Sequence, residues 1–194
     1  MSDRLSIVVI ERDPERARLI IDGLNETGDH TIHVIGDDVA LQKRIAERNP
    51  DLVLIDVANP SRDALEELTL ASAPMERPVA MFVDKSDSGL TRTAIEAGVS
   101  AYVVDGLRPD RLKPVIDAAV ARFHMIAKMR AELTATKAAL EERKIIDRAK
   151  GILMRAKGLG EDEAYALMRK TAMDQGKKIA DVAKALVTAA ELLG

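Results

Sequence analysis

Between Arg143 and Lys157 the sequence RKIIDRAKGILMRAK sets six basic residues against one acid, Asp147, in a chain of 194 residues whose formal net charge is −3. At about 100° per residue, a helix through this stretch places Ile145, Ile146, Ala149, Ile152, Leu153 and Ala156 on one face. Lys144, Arg148, Gly151 and Arg155 fall on one flank of that face, and Arg143, Lys150 and Lys157 on the other. An apolar face that packs, bordered by cationic edges, has the chemistry of a helix that meets a polyanion. Taken alone, a run of this kind is more often a solvated face. The charge is unevenly divided: residues 141–194 carry 11 basic and 9 acidic side chains, whereas residues 1–140 carry 18 and 23. Polyanion contact therefore belongs to the C-terminal part.

A second chemistry is available to Glu11, Asp13 and Asp56, which follow or end short apolar runs near the start of the chain. With no cysteine, disulfides, thiol catalysis and cysteine-ligated metals are excluded. His30, His33 and His124 have no ligand-like company, and no P-loop, Ser-His-Asp set or HExxH occurs, so neither a metal site nor an enzyme is expected. No apolar run approaches the roughly 20 residues that span a bilayer, so a cytoplasmic protein is expected.

The elements that must carry these groups alternate. Residues 5–10, 31–35, 52–55, 79–83 and 101–104 read as apolar strands. Residues 16–24, 39–48, 63–73 and 90–97 have helical spacing. Five apolar strands separated by helices imply an α/β fold with a parallel, doubly wound sheet, whose functional groups gather at the carboxyl ends of the strands. From residue 110 to 157 good helix formers continue with only Pro114 among them, which predicts one long helix of roughly 70 Å at 1.5 Å per residue. Leu112, Ala119, Ile126, Leu133 and Leu140 recur every seven residues. Their companions Ile116, Phe123, Arg130, Lys137 and Lys144 turn basic halfway, so the pattern is half a coiled-coil seam. Gly158-Leu159-Gly160 breaks the helix, and two amphipathic helices follow, one with Ala164, Leu167, Met168 and Thr171, the other with Ile179, Val182, Ala183, Leu186, Val187, Ala190 and Leu193. The expected organisation is an α/β domain at 1–124, a helical linker at 125–140 and a three-helix bundle at 141–194.

Over residues 4–125 the chain resembles the response-regulator receiver domain, a five-stranded flavodoxin-like fold. In that family two acidic residues after the first strand hold Mg²⁺ and an aspartate ending the third strand accepts a phosphoryl group. The resemblance makes Asp56, in DLVLIDVANP, phosphoacceptor-like, with Glu11 and Asp13 in the acidic pocket. Three positions depart from the family pattern. Arg12 replaces the second acidic ligand and puts a cation in part of the metal's place, Val83 replaces a Ser or Thr, and Asp105 replaces a lysine. A phosphoaspartate at Asp56 would lose much of its electrostatic support, so a degenerate receiver without a cofactor is expected. The competing expectation is that Asp13 alone restores Mg²⁺ binding and Asp56 still works.

The C-terminal segments IIDRAKGILM, DEAYALMRKTAM and ADVAKALV resemble the ANTAR domain, an RNA-binding module of transcription antitermination regulators. Together with NPSRDALEEL, MFVDKSD, GVSAYVVDG and the ending AAELLG, they resemble NasT-type regulators of nitrate and nitrite assimilation. The resemblance implies binding to paired hairpins in a leader RNA, so that a terminator does not form. It also implies a homodimer when active and a NasS-type nitrate-sensing partner protein. The expected RNA-binding residues are Lys144, Arg148, Lys150, Gly151, Arg155, Lys157, Tyr165 and Arg169. A lone tyrosine in a small bundle is more often core, while Tyr165 could also stack on an unpaired base. For Gly151, close approach of a ligand backbone and tight helix packing are equal alternatives. The rival readings are a receiver joined to a DNA-binding helix-turn-helix, and a response regulator activated by phosphorylation.

Overall fold

A computed structural model describes residues 4–193. Met1–Asp3 and Gly194, which fall within the expected domain ranges, lie outside the described residues, as does the side chain of Leu193. Strands β1 (Ser6–Ile10), β2 (Thr31–Ile35), β3 (Leu52–Val57), β4 (Val79–Val83) and β5 (Ala101–Val104) alternate with helices α1 (Pro14–Thr27), α2 (Leu41–Arg48), α3 (Arg62–Ser72) and α4 (Ser88–Glu96). Helices α5 (Pro109–Lys157), α6 (Glu161–Gln175) and α7 (Ile179–Leu193) complete the chain. All strand pairs are parallel, in the order β2-β1-β3-β4-β5. The order reverses between β1 and β3, and their carboxyl ends open the crevice where such sheets place their sites.

The strands read as unbroken apolar runs because both faces of the sheet are covered. On one face Val8, Ile10, Val53, Ile55, Met81 and Val83 pack against Leu41, Ile45, Leu65 and Ala94 of α2, α3 and α4. On the other, Ile7, Val9, Leu54 and Phe82 meet Ile20 and Leu24 of α1 and Leu112, Ile116 and Ala119 of α5. At Gly23 an added Cβ would lie 2.6 Å from Leu112 Cδ1, so only glycine allows α1 to come this close to α5. Pro109 begins α5 where its missing N–H has no intrahelical partner, and Pro114 falls inside the same helix.

The chain divides into two compact units after Ala127. The second has its own core of Ala149, Leu153, Ala164, Met168, Ala183 and Val187, with Ile145, Ile146, Ile152 and Leu167 half-buried around it. Ala156, expected on the apolar face, is exposed in the last turn of α5, which ends one residue later. Gly158 and Gly176 both adopt positive φ, +67° and +61°, which ends α5 and α6 without strain. The seven-residue repeat changes role along α5: Leu112, Ile116 and Ala119 are core, whereas Leu133 and Leu140 are exposed, as is Met129 beside them. Among the described residues no helix is long and apolar enough to cross a membrane.

Candidate functional site

The carboxyl ends of β1, β3 and β4 bring Glu11, Asp56 and Asp84 together around one guanidinium, that of Arg16 in the first turn of α1. Arg16 Nη2 donates to Asp56 Oδ1 at 2.8 Å and Arg16 Nε donates to Asp56 Oδ2 at 3.1 Å, a bidentate pair. Arg16 Nη1 and Nη2 donate to Asp84 Oδ2 and Oδ1 at 3.2 and 3.3 Å. Arg16 Nε also lies 3.3 Å from Glu11 Oε2. The local sequence aims Arg16 there. Asp13 Oδ1 accepts from the backbone N–H of Glu15 and Arg16, at 2.8 and 3.3 Å, and so caps α1, while Glu11 Oε1 accepts from Asp13 N–H at 2.8 Å. The adjoining cavity, of about 520 Å³, is lined by Glu11, Arg12, Asp13, Arg16, Asp56 and residues of the α2 and α3 approaches.

The expected residues take different places around this cavity. Arg12 lines the cavity but is not the cation on Asp56: its side chain is 70% exposed and pairs with Asp38, and Arg16 meets the carboxylate instead. Asp13 lines the cavity but spends its carboxylate on the helix cap. Val83 is fully buried in the core on the α2–α4 face. Asp105 is exposed at the end of β5, with φ +74°, and takes no part in the pocket lining. These residues do not fit a Mg²⁺ ion. Both oxygens of Asp56 already face a guanidinium, and the position of the second acidic ligand is an arginine paired with Asp38.

Asp56 is raised from 3.8 to about 6, by burial first, against the pull of Arg16 and with the support of the Glu11 carboxylate. On Arg16, burial works against the charge. Hydrogen bonds to Asp84 and Asp56 outweigh it, so the guanidinium is held more firmly protonated than usual. An Asp raised in the native state favours folding below its unfolded value, and that contribution is lost as pH rises through the native value. Relative to Asp56→Asn, the wild type should therefore gain about 1 kcal/mol of stability between about pH 7 and about pH 5. Urea denaturation of both proteins at the two pH values checks this; a constant difference would assign the proton to another group.

In the second unit the basic residues separate into engaged and open ones. Arg148 Nη2 meets Glu191 on α7 at 2.8 Å, and Lys144 meets Glu141 at 2.7 Å. Lys150 is only 16% exposed and sits between Asp147 at 2.7 Å and Glu161 at 2.6 Å, tying α5 to the start of α6. The same contacts hold Lys150 above and Asp147 below their ordinary pKa values, chiefly through their mutual hydrogen bond. Among the described residues no ion pair holds Arg155, Lys157 or Arg169. Tyr165 is 43% exposed, which removes it from the core and leaves its ring on the surface of α6. Gly151 is half-buried beside a concavity formed with Arg143, Asp147, Lys150, Met154 and Glu161. A Cβ there would meet only Arg155 Nη1, at an ordinary 3.6 Å, so tight helix packing does not require the glycine.

Arg16, Asp84, Glu191 and Glu161 are the participants that sequence reasoning missed. Asp84 directly follows β4, a strand end where acidic groups deserve a search. Arg16 could have been sought as the cation that must balance Glu11 and Asp56 once the family lysine is lost. Glu191 has no local signal.

Residues 134–187 match the ANTAR domain. The chain is 30% identical over 179 residues to the transcriptional regulatory protein PdtaR of Mycobacterium tuberculosis, across 90% of this chain and 87% of that protein. It is 40% identical over 65 residues to the nitrate regulatory protein of Klebsiella oxytoca, across 34% of this chain and 16% of that one. In fold it is similar to the signal receiver domain of a modulated diguanylate cyclase from Desulfovibrio desulfuricans, with a TM-score of 0.53 at 17% identity, over 63% of this chain and 98% of that one. The sheet and its neighbours define a receiver fold, and α5 leads from it into a helical ANTAR region. The chain belongs to the ANTAR-domain response regulators, the family of PdtaR.

Proposed function

We propose that this protein is an RNA-binding transcription antitermination regulator. It binds paired hairpins in a leader RNA through the ANTAR bundle and prevents a terminator from forming. Gly151 carries this reading. A glycine inside a helix lowers stability by roughly 0.5–1 kcal/mol relative to alanine, and neither packing nor a positive φ asks for it here. Its bare backbone lies beside Arg155, at the edge of a concavity where Arg143 and Lys150 stand with Asp147 and Glu161, and a phosphate backbone could come close on the Arg155 side. Exposed Tyr165 offers a ring to an unpaired loop base, and Arg155, Lys157 and Arg169, which no ion pair holds among the described residues, offer charge, with Lys144 and Arg148 available once they leave their carboxylates. Lys150 serves first as the tie between α5 and α6.

The nitrate and nitrite assimilation genes are the proposed target, supported by the 40% identity to the Klebsiella nitrate regulatory protein over 65 residues. A NasS-type sensor protein then controls availability by binding the regulator until nitrate is present, a switch by mass action. The active form is a homodimer, for which exposed Met129, Leu133 and Leu140 supply an apolar seam. Competition gel shifts with hairpin RNA and duplex DNA test the assignment: preference for duplex DNA would overturn it. Gly151→Ala should raise the thermal midpoint of the bundle while weakening hairpin binding several-fold. Unchanged binding would move the contact away from this face of α5.

A further inference from the structure

We propose that Arg16 is the resident cation of the receiver unit, a side chain that occupies the place among Glu11, Asp56 and Asp84 where a divalent metal would have to sit. Three carboxylates converge at the ends of β1, β3 and β4, and the guanidinium reaches all three within 3.3 Å. It uses every polar nitrogen in doing so: Nε and Nη2 on Asp56, Nη1 and Nη2 on Asp84, with Nε also facing Glu11. A planar fork of this kind matches carboxylates better than an ammonium does, and it offsets one of the three negative charges that the cluster would otherwise hold.

The cluster is nonetheless built from oxygen donors of the type a hard cation takes. Glu11 is 7% exposed, and its Oε2 has no hydrogen-bond partner, only the charge of Arg16 beside it. Asp84 brings a third carboxylate to a site where Arg12, paired with Asp38, stands in place of the family's second acidic ligand. A tethered monovalent cation therefore closes this carboxylate cluster to a divalent one. A metal ion that enters would displace Arg16 or share its oxygens with it, and the repulsion between the two cations opposes both. The receiver thereby keeps the same resident cation whatever the concentration of free Mg²⁺.

The test uses the full chain and Mn²⁺ as probe, read by the loss of the free-ion electron paramagnetic resonance signal, with thermal melts in MgCl₂ and in NaCl of matched ionic strength. Wild type should leave the Mn²⁺ signal and the MgCl₂ melt unchanged. Arg16→Met, which keeps an apolar stem and removes the charge, should melt about 5 °C or more lower in NaCl, regain part of the loss in MgCl₂, and bind Mn²⁺ roughly tenfold or more tighter than wild type. Adding Asp56→Asn to Arg16→Met should abolish that binding. Should Arg16→Met not fold, Arg16→Gln, which retains hydrogen-bond donors without the charge, takes its place. Mn²⁺ uptake by wild type that Asp56→Asn abolishes would overturn the proposal. So would a neutral Arg16 variant that folds and takes up no more Mn²⁺ than wild type.

Discussion

Arg148→Glu is expected to lower affinity for hairpin RNA about tenfold to a hundredfold, and the exchange Arg148→Glu with Glu191→Arg is expected not to restore it. The exchange is needed because Arg148 has two possible jobs. Its guanidinium lies 2.8 Å from Glu191, so charge reversal alone sets two carboxylates against each other between α5 and α7 and disturbs the bundle as well as any RNA contact. The pair is exposed at both ends and contributes little to stability, of the order of 1 kcal/mol or less. Swapping the charges rebuilds the ion pair and leaves the net charge of the bundle unaltered. What it does not rebuild is a cation on α5 beside Arg155 and Gly151. Binding isotherms over a salt series separate the two roles: loss of a phosphate contact flattens the dependence of log K on log salt, whereas loss of bundle stability does not. Recovery of wild-type affinity and salt slope in the exchanged protein would make Arg148 a structural tie and leave the contact to Arg155, Lys157 and Arg169.

Phe82→Ala should remove about 3–5 kcal/mol from the receiver unit, enough to approach the whole stability of an ordinary domain. Phe82 is fully buried in β4, where it packs with Ile20, Leu24 and Leu112 under α1 and α5, and its strand neighbour in register is Asp56. The cavity left by the ring would lie directly beneath the Arg16 cluster. Scanning calorimetry should show the receiver transition lowered, while the bundle transition stays in place, because the bundle core of Ala149, Leu153, Ala164, Met168, Ala183 and Val187 shares no residue with that of Phe82. Two transitions shifted by the same amount would show instead that α5, which contributes to both cores, makes the chain one cooperative unit.

Much of the fold was legible because its signals are local. Apolar runs such as SIVVI and VAMFV are buried on both sides and need no partner to be recognised, and Gly158 and Gly176 stop helices by their own backbone freedom. Leu112 and Leu140 were read as members of one heptad seam, yet one is core and the other exposed, because periodicity records spacing and not what lies opposite. The same limit applied to Tyr165 and Ala156, whose exposure depends on where neighbouring helices end.

The pocket divides along the same line. The residues at strand ends, Glu11 and Asp56, were evident in sequence because a parallel sheet always delivers its carboxyl ends to one edge. Sequence alone also determined that the usual lysine and second acid are missing, and that the basic residues gather between Arg143 and Lys157. Only the tertiary structure decided which cation answers the carboxylates, and which of the basic side chains remain open. Arg12 and Arg16 are four residues apart with the same side chain, but the cap at Asp13 turns α1 so that one reaches Asp56 while the other is left to Asp38. Arg148 and Arg155 are likewise two turns apart on α5, and the return of α7 puts Glu191 beside only the first. Charge type is written in the chain; which charge is neutralised depends on distances of a few ångströms across elements far apart in sequence, and those exist only once the chain has folded.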